Sequence, residues 1–116
     1  MVEHSQGLDV VFRALGDATR RGMVARLAVR EHTVGELAEP YRMSLASASK
    51  HLKTLERAGL VKRTVRGRTH YCRLNPQPLA RADAWLREYE ALWDLRLERL
   101  QQLLRHPDNE PPATKR

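Results

Sequence analysis

The last third of the chain carries an apolar repeat that one small domain cannot cover alone. From about Pro78 to Arg105, Leu79, Ala82, Leu86, Tyr89, Trp93, Leu97, Leu100 and Leu104 recur at three- and four-residue steps, the rhythm that aligns side chains along one helix face. At ~1.5 Å per residue such a helix spans roughly 40 Å. The chain has 116 residues, the size of a single domain. Trp85, Tyr89 and Trp93 put three of the six aromatic residues on this helix. Part of the stripe packs on the domain's own core, but its length also calls for a second chain. The expectation is a homodimer through Trp85, Tyr89, Trp93, Leu97 and Leu100, with Leu8 and Phe12 of the first helix alongside.

Ahead of that helix, local stop and start signals divide the chain. Leu8, Val11, Phe12 and Leu15 fall at helical spacing, and Gly16 closes the first helix. Asp17 stands as N-cap to a second helix beginning at Ala18, with Met23, Val24 and Leu27 as its buried stripe. Thr33 and Glu36 form a capping box over a helix from Val34 to about Glu39, which Pro40 keeps short. Ser44 caps the next helix, which runs through Ala58 and stops at Gly59. Leu60–Arg66 and Thr69–Leu74 are β-prone runs joined at Gly67-Arg68, the pattern of a hairpin. Residues 1–7 and 106–116 are polar and aperiodic and are expected to be disordered, leaving 8–105 as the folded domain. The fold class expected is mainly α with a small β-hairpin, in the order α-α-α-α-β-β-α.

Charge is distributed unevenly over these elements. The formal net charge is +7. Between Ser44 and Arg73 lie Lys50, Lys53, Arg57, Lys62, Arg63, Arg66, Arg68 and Arg73 against the single acid Glu56, so this segment holds the whole excess. A neutral body with one basic segment points to a polyanion, nucleic acid first among the candidates. On the helix after Ser44 the core stripe is Ala48, Leu52 and Leu55. Ala46, Lys50, Lys53 and Arg57 point away from it, and no acid shares their face. A solvated helix face normally mixes signs.

Short helix, turn, basic helix and basic hairpin together make a winged helix-turn-helix, whose second helix enters the major groove of double-stranded DNA while the wing reaches the backbone or minor groove. Ser44, Ser47 and Ser49 are short donors and acceptors at the end of the helix that meets base edges. Lys50, Lys53 and Arg57 offer phosphate or guanine contacts, with Thr54 beside them, and His51 can donate or accept. His51 lies on the flank between the core stripe and the outer face, where packing competes with DNA contact; Ser49 lies nearer the domain. Arg66 and Arg68 flank the hairpin glycine, where long side chains reach a neighbouring groove.

Several segments also match a known family. Ser49-Lys50-His51-Leu52-Lys53-Thr54-Leu55-Glu56-Arg57-Ala58-Gly59-Leu60-Val61 resembles the S-x-H-L-x-x-L-x-x-A-G-L-V signature of the ArsR-type bacterial winged-helix repressors. Leu15-Gly16-Asp17-Ala18-Thr19-Arg20-Arg21 is similar to that family's opening, and Gly67-Arg68-Thr69-His70-Tyr71 resembles its G-R-x-x-Y wing. The resemblance covers Val10 to about Leu104. It implies a dimeric repressor that binds an inverted-repeat operator and inhibits transcription until a signal releases it.

The family's metal sensors carry a cysteine pair in an E-L-C-x-C motif. This chain has Glu36-Leu37-Ala38-Glu39-Pro40, with Ala38 and Pro40 at the thiol positions. A second family site uses Asp and His pairs on the last helix, yet no His occurs between Cys72 and His106. Carboxylates without imidazole or thiolate suit Zn or Cu poorly, so no metal and no cofactor is expected. The run Trp85-Leu86, Tyr89, Trp93 resembles the W-L-x-x-Y-x-x-x-W of the metal-independent branch. An unidentified small-molecule or redox effector stays open.

Other classes recede. No phosphate loop, catalytic carboxylate pair or nucleophile motif marks an enzyme. No apolar run reaches the ~18 residues that span a bilayer, and no secretory signal is visible. A lone Cys72 fits a reducing cytoplasm; it reads as a small apolar residue on a strand, with a redox switch as the rarer alternative. A low-specificity nucleoid or RNA-binding protein shares the basic charge, and a protein-interaction module that has lost DNA binding shares the fold.

Overall fold

The computed structural model describes the backbone of residues 2–105 and the side chains of 7–105. Helix α1 (Val2–Ala14) is followed by α2 (Ala18–Val29), strand β1 (His32–Thr33), helix α3 (Val34–Ala38), a 3-10 turn (Glu39–Tyr41), α4 (Leu45–Arg57), β2 (Val61–Arg66), β3 (Thr69–Leu74) and α5 (Gln77–Arg105). This is a mostly helical winged helix-turn-helix. Two features depart from the expected layout. Helix α1 takes in residues 2–7, which composition placed outside the folded domain. A two-residue strand also precedes α3, so the hairpin becomes a three-stranded antiparallel sheet in the order β1-β3-β2. Residues 106–116, expected to be disordered, lie outside the described residues.

Each short element is held by its own end chemistry. Asp17 accepts the Arg20 N–H at 3.0 Å and starts α2. Thr33 Oγ1 accepts the Glu36 N–H at 3.1 Å while Glu36 Oε1 accepts the Thr33 N–H at 2.9 Å, the reciprocal capping box that starts α3. Pro40 ends that helix but fits the 3-10 turn, where a missing N–H costs nothing. Arg42 then adopts the left-handed region at φ 53°, and this single residue reverses the chain toward Ser44. Ser44 Oγ accepts the Ser47 N–H at 3.1 Å, and Gly59 at φ 78° closes α4.

The core lies within residues 1–82, one compact unit. Met23 and Leu27 of α2, Leu37 of α3, Ala48, Leu52 and Leu55 of α4, Leu60, Val61 and Cys72 form its buried cluster. Leu52 and Leu55 are both 0% exposed, which fixes the rotation of α4 and so decides which side chains remain outside. Residues 83–105 are the helical part of the second unit. Within it the Trp85 and Tyr89 rings meet tilted by 48° with centroids 4.7 Å apart, and Arg87 pairs with Asp83 at 2.9 Å.

Candidate nucleic-acid interface

Burying Ala48, Leu52 and Leu55 turns Ala46, Lys50, Lys53 and Arg57 outward, and all four are exposed. Among the described residues none of these three cations lies within 4.0 Å of a carboxylate, whereas their neighbours Arg63 and Arg66 do. Among the described residues, the face that spacing leaves free of acids forms no ion pair in three dimensions either.

The serines divide by position. Ser44 and Ser47 are exposed at the start of α4, and the Ser44 hydroxyl donates to Ser47 Oγ at 3.2 Å. Ser49 is half-buried against β2, where Arg63 Nη1 approaches its Oγ at 3.5 Å. Arg63 also pairs with Glu56 at 3.0 Å, so it fastens the wing to α4. Thr54 donates its hydroxyl proton to the Lys50 carbonyl at 3.4 Å.

His51 is half-buried on the flank of α4 facing α2 rather than projecting freely from it. Its Nδ1 lies 3.5 Å from Arg20 Nη1 and 3.9 Å from Asp17 Oδ2, both at the start of α2. The Asp17 carboxyl is kept below the usual carboxylate range, chiefly by the Arg20 N–H that it accepts and further by the positive charge of Arg20. The sequence places Arg20 in the family-like opening from Leu15 to Arg21 but gives it no part in the interface. The Arg20 guanidinium donates to the carbonyls of Ala14 at 2.6 Å and Arg13 at 3.2 Å at the end of α1; the Arg13 carbonyl also accepts the Gly16 N–H at 3.1 Å. The local signal for this was present in Asp17 three residues earlier, but the partners on α1 and α4 were not.

On the wing, Arg66 and Arg68 differ sharply. Arg66 makes two contacts of 3.0 and 2.9 Å to the Glu31 carboxylate and lies 4.3 Å over the Tyr71 ring. Arg68, at the turn beside Gly67, is exposed, and among the described residues no carboxylate pairs with it. Of these two arginines, Arg68 is the one whose guanidinium makes no hydrogen bond or ion pair among the described residues. Between the wing turn and the start of α4 a cleft of about 430 Å³ is lined by Leu45, Ser49, Arg63, Arg68 and His70, among others.

The residues expected at a dimer interface are placed less uniformly. Leu8 is half-buried and packs against the core cluster, and Phe12 is 37% exposed. On α5, Trp85, Tyr89, Trp93, Leu97 and Leu100 are between 39% and 58% exposed, together with Leu86 and Leu92, and Leu104 is more exposed still. Of the apolar residues of α5, only Pro78 and Ala82 are buried.

Cys72 is 0% exposed on β3, opposite His32 and Arg63, and burial pushes its thiol pKa up. It is a packed apolar residue held as the thiol, which is the less reactive form. Among the described residues no three His, Cys, Asp or Glu side chains are grouped to hold a metal ion, and no helix is long and apolar enough to cross a membrane.

Known proteins share this architecture. A helix-turn-helix domain family model matches residues 15–64. The transcriptional repressor SdpR of Bacillus subtilis is 33% identical over 76 residues, covering 66% of this chain and 84% of that one. The crystal structure of the ArsR family transcriptional regulator RHA00566 is 39% identical with a TM-score of 0.71, covering 76% of this chain and 97% of that one. The solution structure of the homodimeric winged helix-turn-helix DNA-binding domain of Mb0332 from Mycobacterium bovis is 29% identical with a TM-score of 0.61, covering 81% and 84%. These relatives are regulators rather than enzymes. With its fold, its basic helix and wing, and these likenesses over most of their length, the chain belongs to the ArsR family of winged helix-turn-helix transcriptional regulators.

Proposed function

We propose that the protein is a homodimeric, sequence-specific repressor that binds an inverted-repeat operator. The observation that carries this reading is the outward face of α4, where Lys50, Lys53 and Arg57 are exposed and, among the described residues, paired with no carboxylate. A positive face left uncompensated in the free protein suits a phosphate-lined groove. The hydroxyls of Ser44 and Ser47 at its leading end, and Arg68 on the wing, supply groups for base edges and for the adjoining groove. Repression follows if the bound dimer occupies a promoter, as the name of the Bacillus subtilis relative describes for that protein.

Dimerisation supplies the geometry. The run of half-exposed aromatic and leucine side chains on α5 is larger than a monomer usually leaves in water, and the Mycobacterium bovis relative is a homodimer. Two α4 helices related by a two-fold axis would enter successive major grooves roughly 34 Å apart. The operator then is a pseudo-palindrome with half-sites one helical turn apart.

The signal that releases DNA is not a metal at the family's cysteine-pair site. Ala38 is buried in the core and Pro40 sits in the 3-10 turn, and neither side chain can ligate. Cys72, buried as the thiol, is a poor redox trigger. A small-molecule effector stays open.

Footprinting on the DNA upstream of the protein's own gene tests the reading. The expected result is a protected pseudo-palindrome with one-turn spacing. Protection that spreads evenly along the fragment would instead mark a nucleoid-type binder.

A further inference from the structure

We propose that the cleft between α2 and α4 seats one phosphate of the DNA backbone, which makes Arg20 part of the nucleic-acid interface. The cleft holds about 310 Å³ and is lined by Arg20, Ser47, Lys50, His51 and Thr54. The four α4 residues fall at i, i+3, i+4 and i+7, one stripe along the helix. That stripe adjoins the outward face through Lys50, which belongs to both. A helix lying in the major groove has a sugar-phosphate strand on each side, and this cleft lies along one flank of α4. The opposite flank, with Leu45 and Ser49, faces the wing cleft.

Hydrogen-bond accounting shows why an anion fits. The Arg20 guanidinium can only donate. Its 3.5 Å contact with His51 falls on the ring Nδ1, so Nε2 is the nitrogen left for an outside partner. With Nδ1 as acceptor, the imidazole is a donor at its other end. Ser47 Oγ accepts the Ser44 hydroxyl proton, so its own proton is available. Thr54 has committed its proton to the Lys50 carbonyl and lends only bulk and an oxygen. The Lys50 ammonium adds a full charge. The nearest carboxylate, Asp17, already accepts the Arg20 N–H and stands 3.9 Å from His51 Nδ1. Donors from two helices thus line the cleft, and Asp17 stands outside its lining. Arg20 is also held rigid by the α1 carbonyls of Ala14 and Arg13, so ordering it on the DNA costs little entropy.

The inference rests on the DNA-binding reading, and it is tested on DNA that needs no operator. Binding of a random-sequence 30-base-pair duplex is followed by fluorescence anisotropy over a salt series. Each phosphate contact contributes about 0.9 to the slope of log K against log salt. Arg20→Gln should lower the slope by about that amount. Arg21→Gln is the control: it removes the same charge and a similar backbone bond, the 2.7 Å contact to the Leu15 carbonyl in the turn after α1, but lies outside the cleft. Equal slopes for the two variants overturn the proposal. Lys53→Ala, on the outward face alone, separates the two readings. If it changes nothing as well, DNA binding itself fails; if it lowers the slope while Arg20→Gln does not, only the phosphate seat fails.

Should Arg20→Gln not fold, an uncharged pair decides. His51→Phe should weaken duplex binding about tenfold, the scale of one charge-assisted hydrogen bond, and His51→Gln, which restores a donor, should recover most of that loss. Wild-type affinity in His51→Phe contradicts the seat. Inorganic phosphate titrated without DNA distinguishes the source of the anion. A micromolar affinity, read from the His51 ring resonance, would make this a free-anion site and overturn the assignment to DNA.

Discussion

The guanidinium of Arg66 closes on the carboxylate of Glu31 with contacts of 3.0 and 2.9 Å, joining the end of the wing's first strand to the chain just before β1. Two arginines that flank one hairpin turn therefore have different work. Arg66 braces the wing against the body, and Arg68 remains open at the turn.

That division predicts different losses. Arg68→Ala should reduce the salt slope of DNA binding by about 0.9, the value of one phosphate contact. Arg66→Ala should leave the slope near wild type and cost about 0.5–1 kcal/mol of stability, the scale of an exposed ion pair. Anisotropy titrations and urea melts on the same samples measure both. Equal slopes for the two variants would show that the Glu31 clamp opens on DNA.

A second prediction concerns α5. Trp93 is 58% exposed and Leu97 52%, and Trp93→Glu places a charge in the proposed dimer contact. The variant should sediment as a monomer with its far-ultraviolet circular dichroism intact. Its operator affinity should fall by roughly 10² or more, because two half-sites no longer bind as one. A dimer of unchanged stability would move the interface elsewhere.

Asp17 links helix capping to pH. Asp17→Ala removes the acceptor of the Arg20 N–H at 3.0 Å and should cost about 1 kcal/mol at neutral pH. The folded carboxyl titrates below the unfolded value of about 3.9. Its contribution is therefore complete above that value and is lost as pH falls through the lower, folded one. Urea melts should show wild type and variant separated at pH 7 and converging below about pH 4. A gap that persists in acid would contradict capping as the cause.

Metal should leave the regulator unmoved. Zn added at stoichiometric amounts to the protein–operator complex should neither release the DNA nor produce a saturable change in Trp fluorescence. A one-to-one Zn complex that frees the operator would overturn the reading drawn from Ala38 and Pro40.

How far the sequence shows all this depends on the range of each interaction. Ser44, Gly59, Asp17 and the Thr33–Glu36 box act within three or four residues, so their roles can be read along the chain. The outward face of α4 is equally legible, because helical geometry places Lys50, Lys53 and Arg57 opposite Ala48, Leu52 and Leu55. Strand β1 is not, since two residues carry no periodicity; His32 and Thr33 become a strand only by pairing with Cys72 and Tyr71. The Arg66–Glu31 clamp spans 35 residues and the Arg20–His51 contact 31. For such pairs the residue types suggest what can bond, and only the packed core decides what does. Helical residues 2–7 were missed for a different reason: their polar composition lacks the apolar stripe by which helices are recognised.

The central claim is that the acid-free face of α4 reads a particular DNA sequence rather than any polyanion. Competition at physiological salt tests it most directly. The labelled footprinted site is bound by the wild-type protein and displaced with the unlabelled site or with random duplex. The account predicts that the site outcompetes random duplex by at least ~10³-fold. A ratio near one would contradict it and leave a charged winged helix that coats DNA without choosing.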